Sequence, residues 1–176
     1  MTNSVDHRPD VVALPGWTKT ITGDSNYHKI HLEVEEGNML TGLLMRVPNR
    51  IETYDVFRYG QQTEENRHSE GKKLLAFVRF GDHMCGHPGI VHGGATAAVF
   101  DDLFGWLFDY QGIKVFTAYL NTSYRSPTYV NTTLVYEMHI DKVEGRKLYA
   151  KATARDGLGP DSTLLAESEV LYIVAR

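Results

Sequence analysis

Residues 94–108 constrain this chain more than any other stretch. They read as one helix of about four turns. It is apolar on nearly every side, through Ala95, Ala97, Ala98, Val99, Phe100, Leu103, Phe104, Trp106, Leu107 and Phe108. A helix apolar all round has no face to give to water, so it must be buried with the rest of the chain built around it. Yet two adjacent carboxylates, Asp101 and Asp102, sit near its middle. Burying a charge without a partner is costly, so each requires a pairing, an interface or a function. The plainest alternative to function is pairing with basic groups.

The start of the helix is also unusual. Ser, Thr, Asp or Asn usually caps the first orphan amides, but the chain here runs His92-Gly93-Gly94. Two glycines leave backbone N–H groups bare and let a ligand approach closely. Bare amides at the positive end of a helix dipole make an anion or oxyanion cradle. Gly112 suits the position just past the helix end. A cradle and a carboxylate on one helix suggest hydrolysis of a carbonyl compound. Asp101, however, lies seven residues beyond Gly94, roughly 10 Å along the axis. A two-fold dimer that sets one helix start beside the other chain's Asp101 bridges that gap.

Strand-like runs surround the helix. Ile51–Tyr59 and Leu74–Phe80 precede it, and runs at about 114–125, 132–142, 147–156 and 164–174 follow, with turn signals between them. Met39–Val47 is a further candidate, 26–36 is ambiguous between helix and strand, and Gly60–Lys73 reads as a polar loop. One buried helix with meandering strands is an α+β pattern. In the run at 114–125, alternation places Phe116, Ala118, Leu120 and Tyr124 toward the helix and Thr117, Tyr119, Asn121, Ser123 and Arg125 on the other face. Residues 1–25 read as an arm with Trp17 docked, and 26–176 as one domain, a size that supports a sizeable core.

Composition bounds function more than fold. A formal charge of −4 argues against general nucleic-acid binding. No apolar run approaches a transmembrane length. The single cysteine, Cys85, excludes an intramolecular disulfide and fits a reducing compartment. The first ten residues have no apolar signal core and match an Arg-rich, acid-poor transit peptide poorly. The expectation is therefore a cytoplasmic protein, with mitochondria as the alternative.

The run Gly89-Ile-Val-His-Gly-Gly-Ala-Thr-Ala-Ala-Val-Phe-Asp101 closely resembles the His-Gly-Gly…Asp motif of PaaI/THEM-type hotdog-fold acyl-CoA thioesterases. Thr117-Ala-Tyr-Leu-Asn-Thr-Ser-Tyr-Arg-Ser-Pro127 resembles that family's strand after the central helix, and Asp141-Lys-Val-Glu-Gly-Arg-Lys147 the hairpin of its THEM-type branch. The three segments stand in family order and spacing, and the resemblance covers roughly residues 70–176. It implies a hotdog fold: a curved antiparallel sheet wrapped around a central helix. It also implies hydrolysis of fatty acyl-CoA, of medium or long chain, to free acid and CoA, with CoA part of the substrate and no separate cofactor or metal.

By that resemblance Asp101 is general base, or nucleophile through an anhydride, and Thr117 positions the water. The amides of Gly93 and Gly94 polarise the carbonyl, with His92 at their side. Some relatives carry an Asn where this chain has Gly86, which leaves His87 or His92 as the second oxyanion donor. Asp102, turned about 100° from Asp101, is assigned a structural partner. CoA phosphates need cations, and the candidates are Arg125, Lys142, Arg146 and Lys147, with Ser123, Val143, Glu144 and Gly145 as the further CoA-binding positions beside them. Phe57, Tyr59, Phe104 and Phe108 line an acyl tunnel or belong to the core. A homodimer or a dimer of dimers is expected. Two other readings stand beside this one: an acyl-CoA-binding domain that does not turn over, and a zinc site built from His83, Cys85, His87 and His92.

Overall fold

The computed structural model describes residues 13–32, Leu40, Leu44, 47–60, 71–108 and 114–176. Along the chain it runs α1 (Lys19–Thr22), β1 (Tyr27–Lys29), β2 (Ile51–Tyr59), β3 (Lys73–Phe80), β4 (Cys85–His87), β5 (Ile90–Val91) and α2 (Gly93–Phe108). Then follow β6 (Val115–Tyr124), β7 (Thr133–Glu144), β8 (Lys147–Arg155) and β9 (Leu164–Val174). Seven strands form one sheet in the order β1-β2-β3-β7-β8-β9-β6, every pair antiparallel. The expected α+β arrangement, one helix held by a large antiparallel sheet, is the observed one.

The helix is buried for the reason its sequence predicts. Val99, Phe100, Leu103, Phe104, Leu107 and Phe108 are all fully buried. Facing them are Val56, Ala76, Val78, Leu134, Tyr136, Met138, Leu148, Val170 and Tyr172 from five strands. After Leu148, the inward positions of β8 are Ala150, Ala152 and Ala154, small residues that leave volume for the helix's aromatic rings. Phe100 meets Tyr136 edge-on at 4.9 Å, and Phe108 meets Tyr172 at 5.2 Å.

Strand β3 does not alternate because it is covered on both faces. Leu74, Ala76 and Val78 join the helix side, while Leu75 and Phe77 point outward into a second cluster with Ile21, Phe57 and Val135. The described part of the N-terminal arm supplies this cover: Trp17 stands edge-on to Phe77 at 5.7 Å, and Leu14 packs beside it.

Several expectations are revised. The stretch 81–89 is not plain loop: it holds a 3-10 turn at Asp82–Met84 and the hairpin β4–β5. That hairpin is tied down by Val91 N–H to Thr128 O (2.8 Å) and His92 N–H to Met84 O (2.8 Å). The ambiguous run 26–36 contains the short strand β1. Of Met39–Val47 only Leu40, Leu44 and Val47 are described, and none lies in a strand; Leu40 is buried in the core instead. Gly112, and most of the loop Gly60–Lys73, lie outside the described residues. No helix among the described residues is long and apolar enough to cross a membrane.

Because the core closes on one helix, a single cavity there costs much of the fold's margin. Phe104→Ala should lower stability by about 3–5 kcal/mol, against a typical total of about 5–15 kcal/mol. Urea unfolding followed by circular dichroism measures it, and a loss below about 1 kcal/mol contradicts this account of the core.

Candidate active site

Helix α2 aims its two carboxylates at different walls. Asp102 Oδ2 accepts from the Tyr54 hydroxyl at 2.6 Å and from Trp106 Nε1 at 3.1 Å. The expected structural partner is therefore present, but it is a pair of neutral donors rather than a basic group. Burial pushes the Asp102 carboxyl up, the bonds from Tyr54 and Trp106 pull it partly back, and the charge of Asp101 raises it again.

Asp101 looks the other way. Its Oδ1 accepts from Thr117 Oγ1 at 2.9 Å and from the Tyr172 hydroxyl at 2.8 Å. Tyr172, on β9, was missed by sequence reasoning. The signal was there: Leu165, Val170 and Tyr172 are inward positions of one strand, and a polar tip on such a face needs a polar partner. Around Asp101, Gly105 one turn on leaves open space where a side chain would stand.

The alternation expected for β6 holds from Tyr119 onward but fails at Phe116 and Thr117, and that failure builds the site. The β6–β9 register shifts between Thr117 and Tyr119, so that Thr117 pairs with Tyr172 and Tyr119 with Leu171. This bulge at Ala118 reverses which face later residues take. Thr117 thus reaches Asp101 on the helix side, whereas Phe116, assigned to the helix, is 64% exposed. Beyond the bulge, Leu120 packs on the core. Tyr124 donates to Gly93 O at 2.7 Å.

The helix start differs from the bare cradle expected. The Gly94 N–H donates to His92 Nδ1 at 2.9 Å, so His92 caps the helix with its ring in place of the usual hydroxyl or carboxylate. Gly94's amide can serve an oxyanion only when that ring gives it up. The Gly93 N–H, first in the helix, has no intrahelical carbonyl to meet. Both glycines have a steric reason as well: a Cβ on Gly93 would stand 3.2 Å from the Tyr124 ring, and one on Gly94 3.0 Å from His92 Nδ1.

A cavity of about 360 Å³ opens beside this start, lined by Leu44, Met84, Ala95 and Ala98 with His83, Cys85, His92 and Gly94. His87 is exposed on β4 and does not line it. A Cβ on Gly86 would lie 3.1 Å from His92, so the His92 ring occupies the space into which a side chain at 86 would grow. The expected tunnel residues do not share a cavity. Phe104 and Phe108 are in the main core, Phe57 is in the outer cluster, and Tyr59 is exposed. Among the described residues no group of three His, Cys, Asp or Glu side chains converges to hold a metal ion.

The cations assigned to phosphate do not gather in one chain. Lys147 pairs across β9 with Ile173, which pairs with Phe116 at the start of β6. Arg125 follows the other end of β6, nine residues from Phe116 and so about 30 Å away along the strand. Arg125 is bound to Glu167, Lys142 lies 2.6 Å from Glu144, and Arg146 donates to Val174 O at 3.1 Å. At the tip, Gly145 takes φ 58°, which only glycine adopts freely. Ser123 lies on the outer face of the sheet, in a separate groove with Asn121 and Glu169.

One helix inside an antiparallel sheet, with an Asp and a Thr meeting beside it, defines the hotdog class that the motif resemblance implied. Residues 88–172 match the family model described as the thioesterase superfamily, and the curated relatives to which the chain is similar are of the THEM type. It is 34% identical to acyl-coenzyme A thioesterase THEM4 of Rattus norvegicus over 102 residues, which is 58% of this chain and 43% of that protein. To acyl-coenzyme A thioesterase THEM5 of Homo sapiens it is 29% identical over 102 residues, 58% of this chain and 40% of that protein. The match thus spans less than half the length of these curated relatives. A hot-dog-like protein from Thermanaerovibrio acidaminovorans, at 12% identity, shares the fold with a TM-score of 0.54 over 64% of this chain and 88% of that one.

The Asp102 contacts carry a prediction of their own. Burial gives the folded state a higher proton affinity at Asp102 than the unfolded chain has. Its contribution to stability is therefore full below the ordinary carboxylate range and falls as pH rises through its raised value. Asp102→Asn should remove that slope, while its amide oxygen can still accept from Tyr54 and Trp106. Asp102→Ala strands both donors and should cost about 1–3 kcal/mol more than the Asn variant. Thermal unfolding of the three proteins across pH 3–8 measures both effects.

Proposed function

We propose that this chain hydrolyses fatty acyl-CoA thioesters to the free acid and CoA. The observation that carries the reading is the Asp101–Thr117 contact at 2.9 Å, beside a helix that begins His92-Gly93-Gly94 next to an apolar cavity. Asp101 takes a proton from water held by Thr117, and the hydroxide adds to the thioester carbon. The resulting oxyanion faces the Gly93 amide, joined by Gly94 once His92 lets go. Collapse breaks the C–S bond and the thiolate leaves, taking up a proton. An acyl chain of medium or greater length would lie against Leu44, Met84, Ala95 and Ala98. The relatives named as acyl-coenzyme A thioesterases support this substrate class.

Each site is assembled from two chains. Cradle and carboxylate are anchored at opposite ends of edge strand β6, Gly93 by Tyr124 and Asp101 by Thr117. Two β6 strands paired antiparallel about a two-fold axis near Leu120–Asn121 bring Tyr124 of one protomer to Thr117 of its partner. The same pairing carries Arg125 of one toward the 144–147 hairpin of the other, joining the separated cations around CoA phosphates. The exposed backbone edge and the apolar Phe116 and Tyr119 upon it support this pairing.

One observation favours a second reading, an acyl-CoA-binding protein without turnover: the Gly94 amide is already occupied by His92. Release of CoA thiol from a panel of acyl-CoAs separates the two. Asp101→Asn should lower kcat by about 10²-fold or more. An inactive Gly93→Val variant, whose side chain meets the Tyr124 ring, should complement it. In mixed dimers one site carries both lesions and the other none, so mixing folded, exchanging variants restores part of the activity. Failure to complement refutes the two-chain site.

Neutralising Lys142, Arg146 and Lys147 together should raise KM for acyl-CoA and weaken its salt dependence, with kcat little changed. A simple acyl thioester without the nucleotide should be unaffected. Equal loss on both substrates would remove the hairpin from CoA binding.

A further inference from the structure

We propose that Tyr172 is a positioning residue that fixes the Asp101 carboxylate in one rotamer and leaves Oδ2 as its single working oxygen. The inference rests on the reading of Asp101 as the water-activating carboxylate and assigns that carboxylate a working orientation. Both side-chain hydrogen bonds to Asp101 described above end on Oδ1: Thr117 Oγ1 at 2.9 Å and the Tyr172 hydroxyl at 2.8 Å. An ionised carboxylate offers about two acceptor sites per oxygen. With two donors on Oδ1, proton abstraction falls to Oδ2.

The Tyr172 hydroxyl is itself well held. It lies 2.7 Å from the Asp101 backbone oxygen as well as 2.8 Å from Oδ1, so one proton is shared between main chain and side chain of the same residue. The hydroxyl therefore senses where the helix turn sits, not only where the carboxylate points. Its ring is packed edge-on against Phe108 at 5.2 Å, and its backbone pairs with Leu148 on one side and Thr117 on the other. The two donors to Asp101 are thus register partners across β6 and β9, placed together by the bulge at Ala118.

The donor does not switch off. Burial foremost, and then the neighbouring Asp101 and Asp102, hold the Tyr172 phenol far above the usual tyrosine range, against a bond to Thr117 that lowers it. It stays protonated wherever the protein is folded. The groups facing Asp101 are Tyr172 from β9, the non-titrating Thr117 hydroxyl from β6, Asp102 on its own helix, and Tyr54 from β2 behind Asp102. Among them Tyr172 and Thr117 alone donate to Asp101.

Tyr172→Phe keeps the ring and removes only the hydroxyl. It should lower kcat for acyl-CoA roughly tenfold, by the worth of about one charge-assisted hydrogen bond, with KM within about twofold. An unchanged kcat overturns the proposal, as does a fall in kcat accounted for by loss of folded protein or matched by an equal rise in KM. If the wild type proves not to hydrolyse acyl-CoA, the functional reading fails, and a crystal structure of Tyr172→Phe decides the positioning role. Asp101 turned away from Thr117, or split between rotamers, supports it; Asp101 in the wild-type rotamer overturns it.

Discussion

Two carboxylates on a helix that has no solvent face are the constraint from which the rest of this structure follows. They are neighbours in sequence and cannot share a partner, so the surrounding sheet must present hydrogen-bond donors on two sides. Tyr54 from β2 reaches Asp102, with Trp106 one turn along the helix completing it. Thr117 from β6 and Tyr172 from β9 reach Asp101. The helix is thereby fixed in rotation by polar contacts as well as by its buried apolar rings. Apolar packing alone is permissive about rotation when a helix is apolar all round; hydrogen bonds at defined distances are not.

The donors are neutral, and this divides the labour between the two residues. A cation beside Asp102 would have stabilised its charge; a phenol and an indole leave the burial cost visible as a raised proton affinity. Asp102 accordingly serves the fold, at some expense in charge. Asp101 keeps contact with open space at Gly105, and its donors come from strands that end the sheet, where a substrate can approach.

How far this was legible from the residues depends on the period each part obeys. The helix, and the strands β2, β3, β7, β8 and β9, follow simple apolar patterning and were located within a residue or two. The strand β6 was located too, and its faces were right from Tyr119 onward but inverted at Phe116 and Thr117, because a bulge at one alanine leaves no mark in hydrophobicity and switches the faces on either side of it. The inverted reading still named Thr117 for the site, because that assignment came from the family motif and not from alternation. Tyr172 was missed for a different reason: a tyrosine in an inward strand position reads as core, and only its contact with Asp101 distinguishes it. The His92 cap was missed because a neutral imidazole can accept through one nitrogen, a property hidden when the residue is sought only as a ligand or donor. The supposed tunnel failed because β2 and β3 are covered on both faces, so that Phe57 and Phe104 lie on opposite sides of the sheet.

Edge strand β6 joins these separate points. It supplies Tyr124 to the helix start and Thr117 to the helix middle, and so spans the axial gap between cradle and carboxylate that one helix cannot close. It also separates Arg125 from the basic hairpin by nearly its own length. The two separations differ, about 10 Å along the helix and about 30 Å along the strand, but both run along β6. An edge of ten residues with 64% of Phe116 and 44% of Tyr119 exposed is costly to leave open to water and invites strand pairing. Antiparallel pairing inverts a strand end for end, so it is the one arrangement of two copies that closes both gaps with a single contact. A parallel pairing would leave each helix start beside the other helix start and each Asp101 beside the other Asp101, and would repair neither.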